Sequence, residues 1–238
     1  MKLSVIIPAF NEERCLPATL TAIRNALSAS QFPAEVIVVD NNSLDTTPLI
    51  AEQHGAKVIA ETHRNISTVR NTGARNAKGD LLIFIDADTR VPVGLFEKIV
   101  EVMKDERCFG GAAGVDYERF RRWWVRLYAG GWEFWGRLFN MAQGANQFCR
   151  RTTFERVGGF DQTIFVGEDI EFYWRLSQFA KSNGGYLKFI KHPRVTTSSR
   201  RFDKMSLSKT LLLTNPMFIR LAWRRKGFWK DWYHEAVR

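Results

Sequence analysis

The chain has 238 residues, enough for one large α/β domain or two small ones with a substantial core, and a single domain is the simpler reading. Hydrophobic residues at 45% and charged residues at 25% are ordinary globular proportions, which excludes a disordered or fibrous chain. An excess of 35 Lys+Arg over 25 Asp+Glu, a formal charge of +10, favours anionic partners: nucleotide phosphates, lipid headgroups or nucleic acid.

The start, MKLSVIIPAFNEE, carries a five-residue apolar run that is too short for a signal-peptide core and reads as a first strand over Leu3 to Ile7. Asn11 is positioned to cap a helix in which Leu16, Leu20, Ile23 and Leu27 recur at helical spacing. Val36 to Val39 is an uninterrupted apolar run, as expected of a strand covered on both faces. Ser43 or Asp45 then caps a helix near Pro48, Lys57 to Ala60 is a short third strand, Thr68 to Ala77 is helical, and Leu81 to Ile85 is a fourth strand ending at Asp86. Strands alternating with helices in this way predict βαβ units and a mostly parallel sheet. Beyond about residue 115 the pattern turns basic and aromatic, FRRWWVRLYAGGWEFWGRLF at 120–139. A glycine-punctuated segment, 144–161, follows, then a helix from about Glu168 to Ala180, a strand near Tyr186 to Ile190 and a helical tail over 204–238.

The three cysteines, Cys15, Cys108 and Cys149, are odd in number and lack the paired spacing of a zinc site or a disulfide framework, which indicates a reduced setting. No stretch approaches the roughly 20 apolar residues that span a bilayer, so the expectation is a soluble or membrane-surface protein.

Polar residues gather at the carboxyl ends of the predicted strands, where open α/β sheets bind ligands. Pro8, Ala9 and Phe10 follow the first strand, Asp40 the second, and Asp86-Ala87-Asp88 the fourth. An acid there can accept hydrogen bonds from a base or ribose, and two alternating acids can hold a divalent cation through oxygen. The same triplet also serves as a helix cap or turn, and Asp40 alone as a loop cap. Glu168-Asp169 opens a predicted helix, where acids are favoured by the macrodipole alone, yet a carboxylate there can also act as a base. In SSRRF at 198–202, Arg200 and Arg201 either clamp a diphosphate or form a solvated basic loop.

In order, SVIIPAFNEE at 4–13, VIVVDNNSLDTT at 36–47, VRNTGARNAKGDLLIFIDADT at 69–89 and GANQFCRRTTFERVGGFDQTIFVGEDIEFYWRL at 144–176 resemble the successive blocks of family 2 glycosyltransferases, enzymes of the GT-A fold. The resemblance implies a single GT-A domain: a donor-binding half over 1–115, an acceptor-binding and catalytic half over 116–203, and the C-terminal extension. It implies an inverting transfer of sugar from a nucleotide-diphosphate sugar to a glycan or lipid-linked acceptor hydroxyl, with Mn2+ or Mg2+ as cofactor. It further implies that Pro8, Ala9 and Phe10 wall the base, Glu12 belongs to the donor side, Asp40 contacts base or ribose, and Arg70 supports the nucleotide. Asp86 then lies near ribose and metal, and Asp88 is the metal ligand. Gly144, Ala145 and Asn146 border donor sugar and acceptor, Asp169 is the base, and Glu168 orients the acceptor. Several GT-A enzymes use a late histidine as third metal ligand; His192 is the candidate here, against the reading of a surface histidine at a strand end.

The late Gln-x-x-Arg-Trp motif of the processive members is absent, which disfavours a polymerase. A polyprenyl-phosphate acceptor, which needs less help from a base, is the rival within enzymology, and a non-catalytic nucleotide- or membrane-binding protein is the rival outside it. No Gly-x-Gly-x-x-Gly follows the first strand, so a dinucleotide-dependent dehydrogenase is disfavoured, and no nucleic-acid-binding motif is present. The aromatic stretch and the tail, rich in Trp and Arg, have the composition of an in-plane amphipathic segment, so a peripheral place on the inner face of the membrane is expected of a cytoplasmic enzyme. Packing of those aromatics within the acceptor half, or between subunits, is the alternative.

Overall fold

The computed structural model describes residues 1–118, 124, 125, 131, 145–200, 210 and 224. Its centre is an eight-stranded sheet in the order β3-β2-β1-β4-β7-β6-β8-β5. The strands are β1 (Leu3–Ala9), β2 (Ala34–Asp40), β3 (Lys57–Ala60), β4 (Leu81–Ile85), β5 (Thr89–Arg90), β6 (Cys108–Tyr117), β7 (Asn146–Arg150) and β8 (Tyr186–Thr197). The first four are mutually parallel, β7 runs against both its neighbours, β6 and β8 are again parallel, and the two-residue β5 pairs antiparallel to the end of β8.

Alternation along the strands sends successive side chains into two cores. Val5, Ile7, Leu81, Ile83 and Ile85 pack with α1 (Leu16–Ser30), Ala51 of α2 (Thr47–Gln53), and α4 (Leu95–Met103). Ile6, Ile37, Val39, Leu82 and Phe84 pack on the other face with α3 (Ile66–Asn76), α5 (Arg151–Val157) and α6 (Glu168–Ser182). Helices on both faces explain why β1, β2 and β4 read as near-continuous apolar runs. On the second face Phe84 is ringed by Phe154, Phe160 and Phe172 at centroid distances of 5.5, 5.0 and 6.5 Å, the spacing of favourable tilted and edge contacts.

Gly73, inside α3, shows how closely a helix approaches the sheet: a Cβ there would lie 2.4 Å from Cγ2 of Ile6 and 3.0 Å from Cγ2 of Val39. The glycine, unfavourable in a helix by itself, sets the helix–sheet distance.

The single-domain α/β architecture and the mostly parallel sheet agree with the sequence reading. Some local expectations do not. Asn11 does not cap α1; it adopts φ +53°, its Oδ1 accepts from the Leu44 N–H, and its own N–H donates to the Ser43 hydroxyl, so it ties the loop after β1 to the loop after β2. The helix begins five residues later, with Cys15 at its N-cap and Pro17 in its first turn. Most of the tail and of the 120–139 stretch lies outside the described residues, and with it the expected membrane segment. Among the described residues no helix is long and apolar enough to cross a membrane.

Candidate active site

The parallel register brings the predicted donor residues to one sheet edge. Ala9 stands opposite Asp40, and the Asn41 N–H donates to the Ala9 carbonyl at 2.8 Å, so the ends of β1 and β2 are level. Phe10 is buried, with the Arg64 guanidinium 4.5 Å from its ring centroid. Asn41 holds that wall in place, its amide donating to the carbonyls of Glu61 and His63 at 2.6 and 3.0 Å. Asp40 is buried; its Oδ2 accepts from the Ser43 N–H at 3.2 Å, and its Oδ1 finds no partner among the described residues. A buried carboxylate oxygen left over in this way costs free energy unless a ligand donor meets it.

Next along the edge stands Asp86, which follows Ile85, and Ile85 faces Asn146 across the β4–β7 pair. Asn146 is 0% exposed, and neither its amide nitrogen nor its carbonyl oxygen has a partner among the described residues. Neighbouring Ala145 is buried too. Gly144 and Arg201 fall outside the described residues.

Arg70, on α3, lies at the centre of the site with 2% exposure. One guanidinium nitrogen donates to Asp86 Oδ1 at 2.8 Å and another to Glu168 Oε1 at 2.6 Å. Burial opposes its charge, but the two carboxylates hold its pKa above the ordinary arginine value. The terminal nitrogens of the guanidinium are committed to these two carboxylates, so any support Arg70 gives a nucleotide passes through Asp86 and Glu168. Burial, and then the adjacent Asp169 charge, push Glu168 above the usual glutamate range against the pull of Arg70. Asp169 is less deeply placed, with one carboxylate oxygen accepting from the Ile170 N–H at 2.8 Å.

Two asparagines of the α3 region position the segment that carries this acid pair. Asn65 caps α3 by accepting from the Thr68 N–H and donates to the carbonyls of Gln162 and Ile164. Asn71 clamps Phe160 with a reciprocal pair at 2.8 and 2.9 Å.

Asp88 lies beyond Asp86, reached by the Thr197 hydroxyl at 3.3 Å and by Arg200 at 3.2 Å. The same Arg200 nitrogen donates to Glu12 at 2.5 Å, and its other terminal nitrogen lies 3.7 Å from the Cys15 sulfur. Thus Arg200 brings Glu12 and Asp88 together. His192 does not join them. It is exposed, and it sits in a bulge of β8 opposite Gly114, between the pairs Ile190–Ala113 and Val195–Val115. That is about three strand residues, roughly 10 Å, from the Thr197 level. The structure does not place it as a third metal ligand, because the bulge turns it out of the ladder well before the strand reaches Asp88.

Among the described residues no cluster of three His, Cys, Asp or Glu side chains has metal-holding geometry. The donor chemistry nevertheless fits a hard divalent cation, since Asp86 and Asp88 offer carboxylate oxygens with side-chain exposures of 33% and 18%. Mg2+ in particular is commonly held by one or two carboxylates, with substrate phosphates and water completing the shell. Thr197, Arg64, Asn41 and Asn71 escaped sequence reasoning. Of these, only Arg64 and Asn71 carry a signal, as polar residues flanking or inside a helix that faces the strand ends.

A GT-A-type scaffold with acids at the strand ends is thus the class the fold and site define. The chain belongs to Glycosyl transferase family 2, whose profile matches residues 4–161. It is 34% identical over 110 residues to a dolichol-phosphate mannosyltransferase of Pyrococcus furiosus, a match covering 44% of this chain and 31% of that protein. Its fold is similar to that of a mannosyltransferase from Pyrobaculum calidifontis solved with GDP-Man and Mn2+, with a TM-score of 0.58 and 21% identity over 83% of this chain and 56% of that one. It is likewise similar to Staphylococcus aureus TarS in complex with UDP-GlcNAc, with a TM-score of 0.61 and 19% identity over 84% of this chain and 59% of that one. The chain therefore spans about a third of the curated relative and between half and two thirds of the two solved chains.

Proposed function

We propose that the protein is a metal-dependent, inverting glycosyltransferase that moves a sugar from a nucleotide-diphosphate sugar to an acceptor hydroxyl. The observation that carries this reading is the gathering of Asp40, Asp86 and Asp88 at the carboxyl ends of the strands, with Arg70 joining Asp86 to Glu168, the neighbour of Asp169. The nucleoside lies against Phe10, with the unpartnered Asp40 oxygen receiving an N–H or O–H of base or ribose. Asp86 and Asp88 would hold Mn2+ or Mg2+, which supplies charge neutralisation at the departing diphosphate. Arg70 fixes the Asp86 carboxylate on one side and the Glu168 carboxylate on the other, so the donor and acceptor sides share one rigid brace. Asp169, the more accessible acid of the pair, takes the acceptor proton while Glu168 orients the acceptor. Inversion follows from one displacement with base and leaving group on opposite sides.

The likeness to a dolichol-phosphate mannosyltransferase favours, as a second reading, a polyprenyl-phosphate acceptor, whose phosphate oxygen is already ionised. A peripheral position at the inner membrane face belongs with that reading. Calorimetric titration of nucleoside diphosphate with Mn2+ into wild type and Asp88→Ala tests the site. Metal-dependent binding lost in the folded variant is expected; unchanged metal-dependent affinity removes Asp88 from the site.

A further inference from the structure

Arg200 stands where a cation would be needed. Its guanidinium joins two carboxylates from distant parts of the chain, Glu12 beside the first turn of α1 and Asp88 in the turn after β4, at 2.5 and 3.2 Å from one nitrogen. Glu12 is buried at 8% exposure, and its backbone carbonyl receives the N–H groups of Cys15 and Leu16 as α1 begins. Its place is thus fixed by the helix start, and its N–H is anchored on the Thr47 hydroxyl at 2.7 Å. Among its contacts, Asp88 pairs with the Arg200 guanidinium at 3.2 Å and accepts from the Thr197 hydroxyl at 3.3 Å.

We propose that Arg200 is a built-in counter-cation that neutralises Asp88 in the ligand-free protein, and that Glu12 is the positioning residue that keeps it at the site when a divalent cation takes over Asp88. The proposal rests on the donor-site reading above and extends it to the order and coupling of binding. A divalent cation and a guanidinium on one carboxylate repel each other, so metal binding to Asp88 weakens its pair with Arg200 and favours release of the guanidinium. A diphosphate supplies the replacement partner, because a guanidinium matches phosphate oxygens through paired N–H donors. Glu12 keeps Arg200 within reach of that partner. Metal alone therefore binds weakly, since it must evict an ion-paired arginine, and metal with diphosphate binds strongly. By linkage each raises the affinity for the other by the same factor.

The test is an Mn2+ titration followed by electron paramagnetic resonance of the free ion, on the full chain, with and without a panel of nucleoside diphosphates (UDP, GDP). In the wild type, the diphosphate that binds should tighten Mn2+ at least about tenfold. In Arg200→Gln, Mn2+ without nucleotide should bind about tenfold more tightly than in the wild type, because Asp88 has lost its competitor, and the coupling between metal and diphosphate should shrink. Arg200→Lys keeps the charge but lacks the planar fork, and should fall between the two. If Arg200→Gln binds Mn2+ alone no better than the wild type, while the wild type binds Mn2+ with diphosphate, the counter-cation role is overturned and the donor site stands. If the wild type binds no Mn2+ with any diphosphate, the donor-site reading falls, and the proposal with it.

Discussion

Replacing Arg70 by methionine removes the cation that pairs with both Asp86 and Glu168. The substitution keeps the apolar stem and leaves the α3 backbone undisturbed, so the effect isolates the charge. Each carboxylate contacts the guanidinium directly, at 2.8 and 2.6 Å. Unit charges about 4 Å apart attract by about 4 kcal/mol at an effective dielectric near 20. Desolvation of the pair offsets much of that, and breaking a buried pair by deleting one partner typically costs about 3–5 kcal/mol because the other charge is left uncompensated. Against a total stability on the order of 5–15 kcal/mol, the variant should be marginal but measurable by urea unfolding, with a lower midpoint and an unchanged slope.

The pH dependence supplies an independent sign. Glu168 already has a folded-state pKa above its unfolded value, so its contribution to stability is complete below the ordinary glutamate range and declines as pH rises through the raised value. Without Arg70 the carboxyl rises further, extending the decline to higher pH. The cost of Arg70→Met should therefore be smallest near pH 5 and largest near pH 8. Glu168→Gln combined with Arg70→Met should recover part of the loss. A cost below about 1 kcal/mol with no pH dependence would refute the account of Arg70 as a buried brace.

Gly73→Ala places a methyl group 2.4 Å from Cγ2 of Ile6, and Ile6 and Val39 are fully buried, so overpacking should cost about 1–3 kcal/mol by thermal or urea unfolding despite the better helix propensity of alanine. A stabilised variant would show that α3 retreats freely from the sheet. Asp169→Asn should leave nucleoside diphosphate and Mn2+ affinity intact while slowing transfer to a hydroxyl acceptor by about 10²–10⁴-fold in single-turnover assays. Near-normal transfer would move the base to another group, or to an acceptor such as a phosphate that needs none.

The sheet edge was legible in sequence because buried parallel strands must be apolar along their whole length and must end where polarity resumes. Leu3–Ile7, Val36–Val39 and Leu81–Ile85 announced themselves in that way, and with them Asp40, Asp86 and Asp88. The run from Cys108 to Tyr117 did not, because its small residues Gly110, Gly111, Ala112, Ala113 and Gly114 lack the bulk that marks a strand. They are small because neighbouring strands press on them: a Cβ at Gly111 would lie on the Lys188 carbonyl oxygen. Strand β7 and helix α5 were similarly concealed within the glycine-punctuated segment.

Site roles that depend on tertiary pairing were less legible. The resemblance gives Arg70 a supporting role for the nucleotide, but nothing local reveals that Glu168, 98 residues away, pairs with its guanidinium. Asn11 had the chemistry of a cap but was drawn to Leu44 and Ser43 on the next loop. For His192, a metal ligand and a surface strand-end histidine were both open in the sequence, and its place in the bulge of β8, which no local pattern marks, agrees with the second.

The most direct test of sugar transfer is a donor screen on the purified protein, following release of nucleoside diphosphate from each nucleotide sugar with Mn2+ or Mg2+, with and without candidate acceptors. Release from at least one nucleotide sugar is expected to depend on the metal, to be abolished by chelation, and to be lost in Asp88→Ala. Release that survives chelation and Asp88→Ala, or no release and no binding of any nucleotide sugar by the folded protein, would contradict this expectation.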